Sequence, residues 1–194
     1  MFGRRKLAIL EKILSLALNV ASEAEVFYVE SRDVPVRFEA NHLKSLDTRE
    51  SSAVGLRLVK DGRVGFSATS RLDDVQKLVD NAVELAPFGA KVHFEFPGAT
   101  EYPSVPVYDP LVENVALEEM IQIGQTLIDR IRAHSSEVQC EANVGRSLTR
   151  VKCLNSRGGE FDYTKSAFGI GIEGTVVRGE DMLFVGEWDS SCRP

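Results

Sequence analysis

The sequence predicts an α+β fold: a mainly antiparallel sheet with helices packed on one face, built from two related helix-plus-meander halves. Apolar and polar residues alternate over residues 36–70, which is typical of half-buried strands. Over residues 5–22 and 117–134, apolar residues instead recur at three- and four-residue steps, as in helices that bury one face. With 194 residues, 43% of them apolar, the chain can bury an ordinary core.

In the first part of the chain, a helix over residues 5–22 is followed by a strand over residues 24–29 that is apolar on both faces. Such a strand suits the centre of a sheet. The meander over residues 36–70 should turn at Asn41-His42 and again at Asp61-Gly62. An Asp-Gly pair favours a tight hairpin because glycine accepts positive φ at little cost.

A second helix is predicted after the meander, with Ser70 as its N-cap, Asp73 in a capping-box position and Pro87 at its end. Residues 88–114 then contain four prolines and two glycines, and both periodic patterns disappear. We expect this segment to be an extended connector on the surface, because proline fixes φ and removes a hydrogen-bond donor.

The helix over residues 117–134 is the clearest in the sequence. Its first turn is acidic, with Glu118 and Glu119, and its last turn is basic, as the helix dipole favours. Strands are predicted after it, with a turn at Gly158-Gly159, over residues 137–144, 148–155, 160–164, 167–177 and 182–188.

The two parts of the chain resemble each other. SAVGLRL at residues 52–58 matches SAFGIGI at residues 166–172, and a turn and a further strand follow each motif. One interpretation is a weak internal duplication, with one half at residues 5–87, the proline-rich connector at 88–114, a second half at 115–189 and a truncated tail at 190–194. The alternative is that two antiparallel meanders resemble each other by chance.

Composition excludes several classes of function. The net charge of −6 argues against nucleic acid as a direct partner, because phosphate binding requires a clustered basic face. No apolar run approaches the roughly 20 residues that span a bilayer, so no membrane association is expected. The three cysteines, Cys140, Cys153 and Cys192, have no metal-like spacing and favour a reducing, cytoplasmic location.

The sequence contains no catalytic motif. His42, His93 and His134 lie far apart, and none belongs to a two-histidine helix motif. No serine or cysteine lies in a Gly-x-Ser-x-Gly elbow. The paired carboxylates occupy predicted helix starts or a turn, where structural roles explain them. We therefore assign no catalytic, cofactor-binding or metal-binding residue to this chain.

One glycine motif imitates a nucleotide-binding fingerprint. Residues 169–174, GIGIEG, match its spacing. The fingerprint requires a helix after the glycines, whose N-terminus binds the pyrophosphate. Here Thr175-Val176-Val177 continues a strand, so we expect the glycines to allow close packing or a bulge instead.

A family resemblance adds to this interpretation. The run VRFEANHLKSL at residues 36–46 and the run SAVGLRLVKDGRVGFS at residues 52–67 resemble the N-terminal domain of the TldD/PmbA family. Tyr108-Asp109-Pro110 in the connector fits the same pattern. The resemblance extends over about residues 7–189.

The resemblance implies an intracellular zinc metallopeptidase, or its metal-free partner subunit, that forms two-fold dimers around a chamber and acts on unfolded or extended peptides. Family members are also known as modulators of DNA gyrase. The zinc motif, His-Glu-x-x-x-His, belongs to the C-terminal domain of the family, and this chain has no such motif. The chain would thus be a truncated piece or a naturally short version, inactive alone.

Two functions follow from the resemblance. In the first, this chain is the non-catalytic N-terminal domain, which shapes the substrate chamber and the dimer. Its partners would be the C-terminal domain of the same protein and a second copy or a related subunit. In the second, the chain is a regulatory module that binds another protein, of the gyrase-modulator type, without peptidase activity.

Overall fold

The structure is a computed structural model that describes residues 3–194. Within these residues, helices and strands follow the order predicted for an α+β chain. The α-helices are α1 (Arg4–Leu18), α2 (Val75–Leu85), α3 (Leu111–Asn114) and α4 (Leu117–His134). The strands are β1 (Glu23–Glu39), β2 (His42–Leu46), β3 (Arg49–Lys60), β4 (Arg63–Thr69), β5 (Gln139–Asn155), β6 (Glu160–Arg178) and β7 (Asp181–Ser191).

The strands form one sheet in the order β4-β3-β1-β5-β6-β7, and β2 pairs with β1. The ladders β1–β2, β3–β4 and β6–β7 are antiparallel. The mainly antiparallel α+β fold is therefore confirmed. None of the described helices combines the length and the apolar character required to cross a membrane.

The chain forms two compact units, each assembled from three separate segments. Unit one comprises the described part of Met1–Glu30, together with Ser51–Val105 and Arg150–Tyr163, and unit two comprises Ser31–Glu50, Pro106–Thr149 and Thr164–Pro194. The predicted halves at residues 5–87 and 115–189 remain a prediction. The internal duplication proposed to explain them also remains a prediction.

The core of unit one lies between α1, α2 and one face of the strands. On β1, Ala24, Val26 and Tyr28 are buried, and they alternate with more exposed residues, as the two-residue period requires. The helices contribute Leu10, Ile13 and Ala17 from α1, and Val75, Leu78, Val79 and Ala82 from α2. Each large aliphatic side chain contributes about 1.5–3 kcal/mol by burial.

The core of unit two lies between α4 and its strands. Met120 and Ile128 of α4 are buried against Val36 and Phe38 of β1 and against β5. Gly124 lets α4 approach closely, because a Cβ atom there would lie 2.2 Å from the ring of Phe38. The acidic start and basic end of α4 are confirmed.

The start of α2 corrects one prediction. Asp74 is the N-cap, and its carboxylate accepts a hydrogen bond from the backbone N–H of Lys77 at 3.1 Å. Ser70 lies before the helix and does not cap it. Asp73 does not complete a capping box, because its carboxylate binds the guanidinium of Arg71 at 2.9 Å.

Three strand breaks were predicted wrongly. The strand predicted at 24–29 and the start of the meander at residue 36 belong to the single strand β1, Glu23–Glu39. The segments predicted at 137–144 and 148–155 belong to the single strand β5, and those at 160–164 and 167–177 belong to β6. Polar residues lie at both of the later breaks, and the serine at the second has hydrogen-bond partners elsewhere in unit two. Ser166, which is fully buried, accepts a hydrogen bond from Asp109 N–H and donates one to the carbonyl of Cys192, both at 2.8 Å.

The connector and the chain end are also more ordered than expected. Phe96 and Val112 in the connector are buried, so residues 88–114 do not lie wholly on the surface. The guanidinium of Arg57 lies 5.1 Å from the ring centre of Phe96, in a cation–π contact. At the other end, β7 continues through Ser191, into the segment expected to be a tail.

In unit one, Glu30 joins α1 to the sheet. Its carboxylate accepts hydrogen bonds from the ammonium of Lys6 and, at 3.0 Å, from the hydroxyl of Tyr28, and it lies 3.3 Å from the guanidinium of Arg150. Burial raises the pKa of Glu30, but these hydrogen bonds and charges outweigh it, so the pKa lies below its usual value.

We expect the Glu30→Gln variant to be less stable than the parent near neutral pH. A carboxyl group whose pKa is lowered by folding stabilises the folded state above its unfolded pKa of 4.5, and this contribution is lost as the pH falls through the folded pKa. The difference in unfolding free energy should therefore shrink in acid, as measured by urea unfolding from about pH 7 to pH 3. Glu11→Gln on the exposed side of α1 is the control, and equal pH profiles for both variants would contradict the role of Glu30.

Candidate functional site

β7 has an open edge along its whole length. It pairs with β6 on one side and stands at the end of the strand order, so no other strand of residues 3–194 pairs with it. All of its eleven residues are exposed. Edge strands usually carry prolines, bulges or inward charges that prevent further pairing, whereas β7 is long and has apolar side chains. The exposed apolar residues are Met182, Leu183, Phe184, Val185 and Trp188.

The register between β6 and β7 explains the glycine motif. Gly169 pairs with Ser190, Gly171 with Trp188, and Gly174 with Val185. The motif therefore lies inside a strand with no helix after it, as predicted. A Cβ atom on Gly171 would lie 3.3 Å from Cβ of Trp188, so the glycine allows a close approach between the strands.

Unit two contains an open groove of about 570 Å³, and all of its lining residues belong to that unit. The lining comes from β1, β5, β6 and β7 and from the start of β3. Gly145, Gly169 and Gly171 leave bare backbone in this lining, while Arg37 on β1 and Trp188 on β7 contribute exposed side chains. Bare backbone in a strand allows a ligand or another chain to approach closely.

The groove is lined by charges of both signs. Arg37 on β1 and Arg49 on β3 are basic, whereas Asp33 on β1 and Glu173 on β6 are acidic. The carboxylate of Asp33 accepts a hydrogen bond from the hydroxyl of Ser31 at 2.9 Å. Arg49 makes an exposed ion pair with Asp47 at 3.2 Å. Within residues 3–194, no ion pair involves Arg37 or Glu173, so these two charges are available to a ligand. We call this feature the charged groove.

The structure does not bring the candidate residues of the sequence together into a reactive centre. His42, His93 and His134 are exposed, on β2, in the connector and at the end of α4. Across residues 3–194, no group of three or more His, Cys, Asp or Glu side chains is placed to hold a metal ion. The assignment of no catalytic, cofactor or metal residue remains a prediction.

The buried cysteines have the character of unreactive thiols. Burial raises the pKa of Cys140, and it raises the pKa of Cys153 to about 12, with a further contribution from Glu25. The thiolate is the reactive form of cysteine, and these shifts disfavour it.

The fold defines a class: an α+β domain whose mainly antiparallel sheet ends in an open edge strand. Residues 24–86 match the family PmbA/TldA metallopeptidase domain 1. Among curated proteins, an uncharacterised protein of Methanocaldococcus jannaschii is 24% identical over 189 residues, which cover 95% of this chain and 41% of the relative.

Solved structures have the same fold. A candidate modulator of DNA gyrase from Bacteroides thetaiotaomicron superposes with a TM-score of 0.86 at 17% identity, over 100% of this chain and 46% of that one. TldE from Thermococcus kodakarensis superposes with a TM-score of 0.79 at 18% identity, over 94% of this chain and 42% of TldE. A candidate gyrase modulator from Thermotoga maritima superposes with a TM-score of 0.77 at 16% identity, over 96% of this chain and 43% of that one. The resemblance to the N-terminal domain of the TldD/PmbA family is confirmed, and the chain spans less than half the length of these relatives.

Proposed function

We propose that this chain is the non-catalytic N-terminal domain of a cytoplasmic TldD/PmbA-type metallopeptidase, which shapes the substrate chamber and the dimer. The open edge of β7 is the observation on which the role of the chain depends. An extended peptide can pair with such an edge through main-chain hydrogen bonds, which makes recognition tolerant of sequence. This mode suits a peptidase that accepts unfolded or extended peptides.

The length of the relatives supports a further domain in the intact protein. The chain covers between 41% and 46% of the relatives compared above, so the proposed partners are a C-terminal domain and a second copy or related subunit. The resemblance implies zinc in that C-terminal domain. Because the donor side chains of residues 3–194 do not form a metal site, the role proposed for this chain includes no metal-bound step.

Proline substitutions in β7 test the peptide-binding edge. In an antiparallel strand, successive residues direct their N–H groups alternately to the two sides, so one of Leu183 and Phe184 points to β6 and the other to the open edge. Of the variants Leu183→Pro and Phe184→Pro, one should keep the thermal stability of the parent and lose binding of a labelled unstructured peptide, by about fivefold for one lost hydrogen bond. Fluorescence anisotropy measures the binding.

Phe184→Thr serves as the control, because it keeps the backbone N–H while shortening the side chain. If the stably folded proline variant binds the peptide as tightly as the parent, β7 is not the binding edge.

A second function has its own support. Two of the solved relatives are candidate modulators of DNA gyrase, and a net charge of −6 would favour a basic surface on a protein partner while opposing direct DNA binding. In this alternative, the chain is a regulatory module. A pull-down that recovers gyrase subunits and no related TldD/PmbA chain would favour it over the peptidase domain.

A further inference from the structure

The charged groove contains two exposed, unpaired charges of opposite sign. Arg37 is exposed on β1, and Glu173 is exposed on β6 beside Trp188 of β7. Trp188 is 75% exposed, and an indole attracts cationic as well as apolar groups. A groove for a phosphate or another simple anion would instead carry charge of one sign. The arrangement therefore favours a ligand that is itself positive at one end and negative at the other.

The dimensions of the groove limit the length of that ligand. Within unit two, β1, β5, β6 and β7 are consecutive neighbours in the strand order. Arg37 on β1 is two strand spacings, about 10 Å, from Glu173 on β6 and three spacings, about 14 Å, from Trp188 on β7. An extended peptide advances by about 3.3–3.6 Å per residue, so roughly four residues reach Trp188, beside Glu173.

We infer that the charged groove binds a short extended peptide that lies across the strands, with an acidic side chain at Arg37 and a basic side chain, about four residues away, at Glu173 and Trp188. The inference rests on the proposed function in taking a peptide as the ligand. It adds a preference for charge spacing to the sequence-tolerant pairing at the edge of β7. The bare backbone at Gly169 and Gly171 leaves room for the main chain of the peptide.

Three capped peptides of equal length, each labelled with an uncharged dye, provide the test. They carry charged residues four positions apart: lysine with aspartate, lysine with lysine, and aspartate with aspartate. The parent should bind the lysine–aspartate peptide most tightly, by about fivefold for each exposed ion pair gained. Because these charges are exposed, the preference should decline as salt is added.

Charge reversal in the groove should reverse the preference. Arg37→Glu should make the lysine–lysine peptide the best ligand, and Glu173→Lys should make the aspartate–aspartate peptide the best ligand. Arg5→Glu and Glu11→Lys are the controls, because they make the same charge changes at exposed positions of α1 that line no part of the groove. Both variants should rank the three peptides by affinity as the parent does. Circular dichroism verifies that each variant is folded.

The outcomes separate this inference from the proposed function. The α1 variants should rank the three peptides by affinity in the same order as the parent. If the folded groove variants also rank them in that order, the charged groove is not the binding site. If peptide binding also persists in that case and depends on β7, the proposed function remains supported. If the parent binds no unstructured peptide at all, both are wrong.

Discussion

The Gly65→Ala variant is expected to lose about 3 kcal/mol or more of unfolding free energy, at or above the upper range for overpacked cores. A Cβ atom on Gly65 would lie 2.0 Å from the carbonyl oxygen of Ala82 and 3.1 Å from Cβ of Ala86. The first contact is with the backbone of α2, which cannot move aside as a flexible side chain can. β4 and α2 would have to separate, and the buried face of α2 would lose its contacts.

Gly55→Ala is the matched control for Gly65→Ala. A Cβ atom on Gly55 would meet the ring of Phe66 at 3.4 Å, which is an ordinary contact. Because alanine also loses less backbone freedom on folding than glycine, this variant should be neutral or slightly stabilised. Thermal unfolding followed by circular dichroism should lower Tm for Gly65→Ala by about 10 °C and leave Gly55→Ala near the parent. Equal Tm values would show that α2 does not approach β4 as closely as described.

Local signals in the sequence predicted the parts of the fold that depend on neighbouring residues. The Asp61-Gly62 hairpin has positive φ at both residues, 50° and 70°, as a tight turn between twisted strands requires. α4 follows from a stripe of apolar residues together with charges that match the helix dipole at both ends. These signals are contained within a few consecutive positions.

The lengths of β5 and β6 were harder to predict, because polar residues within a strand resemble a break. Ser166 has a polar side chain at a fully buried position, and only its partners Asp109 and Cys192 make that position acceptable. Those partners are distant in sequence. The N-cap of α2 was missed for a local reason, because the ion pair between Arg71 and Asp73, two residues apart, leaves Asp74 to cap the helix.

The charged groove could not be predicted from the sequence for a related reason. Its lining residues come from five strands and include Arg37, Arg49, Gly145, Gly171 and Trp188. They meet only through strand order and register, and a shift of one residue would send each side chain to the other face of the sheet. The open edge of β7 could not be predicted either, because the alternating pattern identifies a strand without showing which strand ends the sheet.

The Glu160→Gln variant is expected to lose about 1–3 kcal/mol of unfolding free energy, because it removes the partner of a buried cation. The side chain of Lys152 is only 6% exposed, and its ammonium forms an ion pair with the carboxylate of Glu160. The Glu160 side chain is 55% exposed, so water screens part of the interaction, and the loss should be smaller than for a fully buried pair. Glutamine keeps the shape of the side chain but leaves the ammonium without a compensating charge.

The double variant Lys152→Met/Glu160→Gln distinguishes the cost of an unpaired charge from loss of packing. Replacing a buried ion pair by apolar groups of similar volume is often neutral or stabilising, whereas removal of one partner is not. We therefore expect the double variant to recover most of the stability that Glu160→Gln loses, as measured by urea unfolding. Asp73→Asn, which breaks the exposed pair with Arg71, should change little. If the double variant is less stable than Glu160→Gln alone, the ammonium of Lys152 stabilises the fold through contacts other than Glu160, and the cost of an unpaired charge is not the cause of the loss.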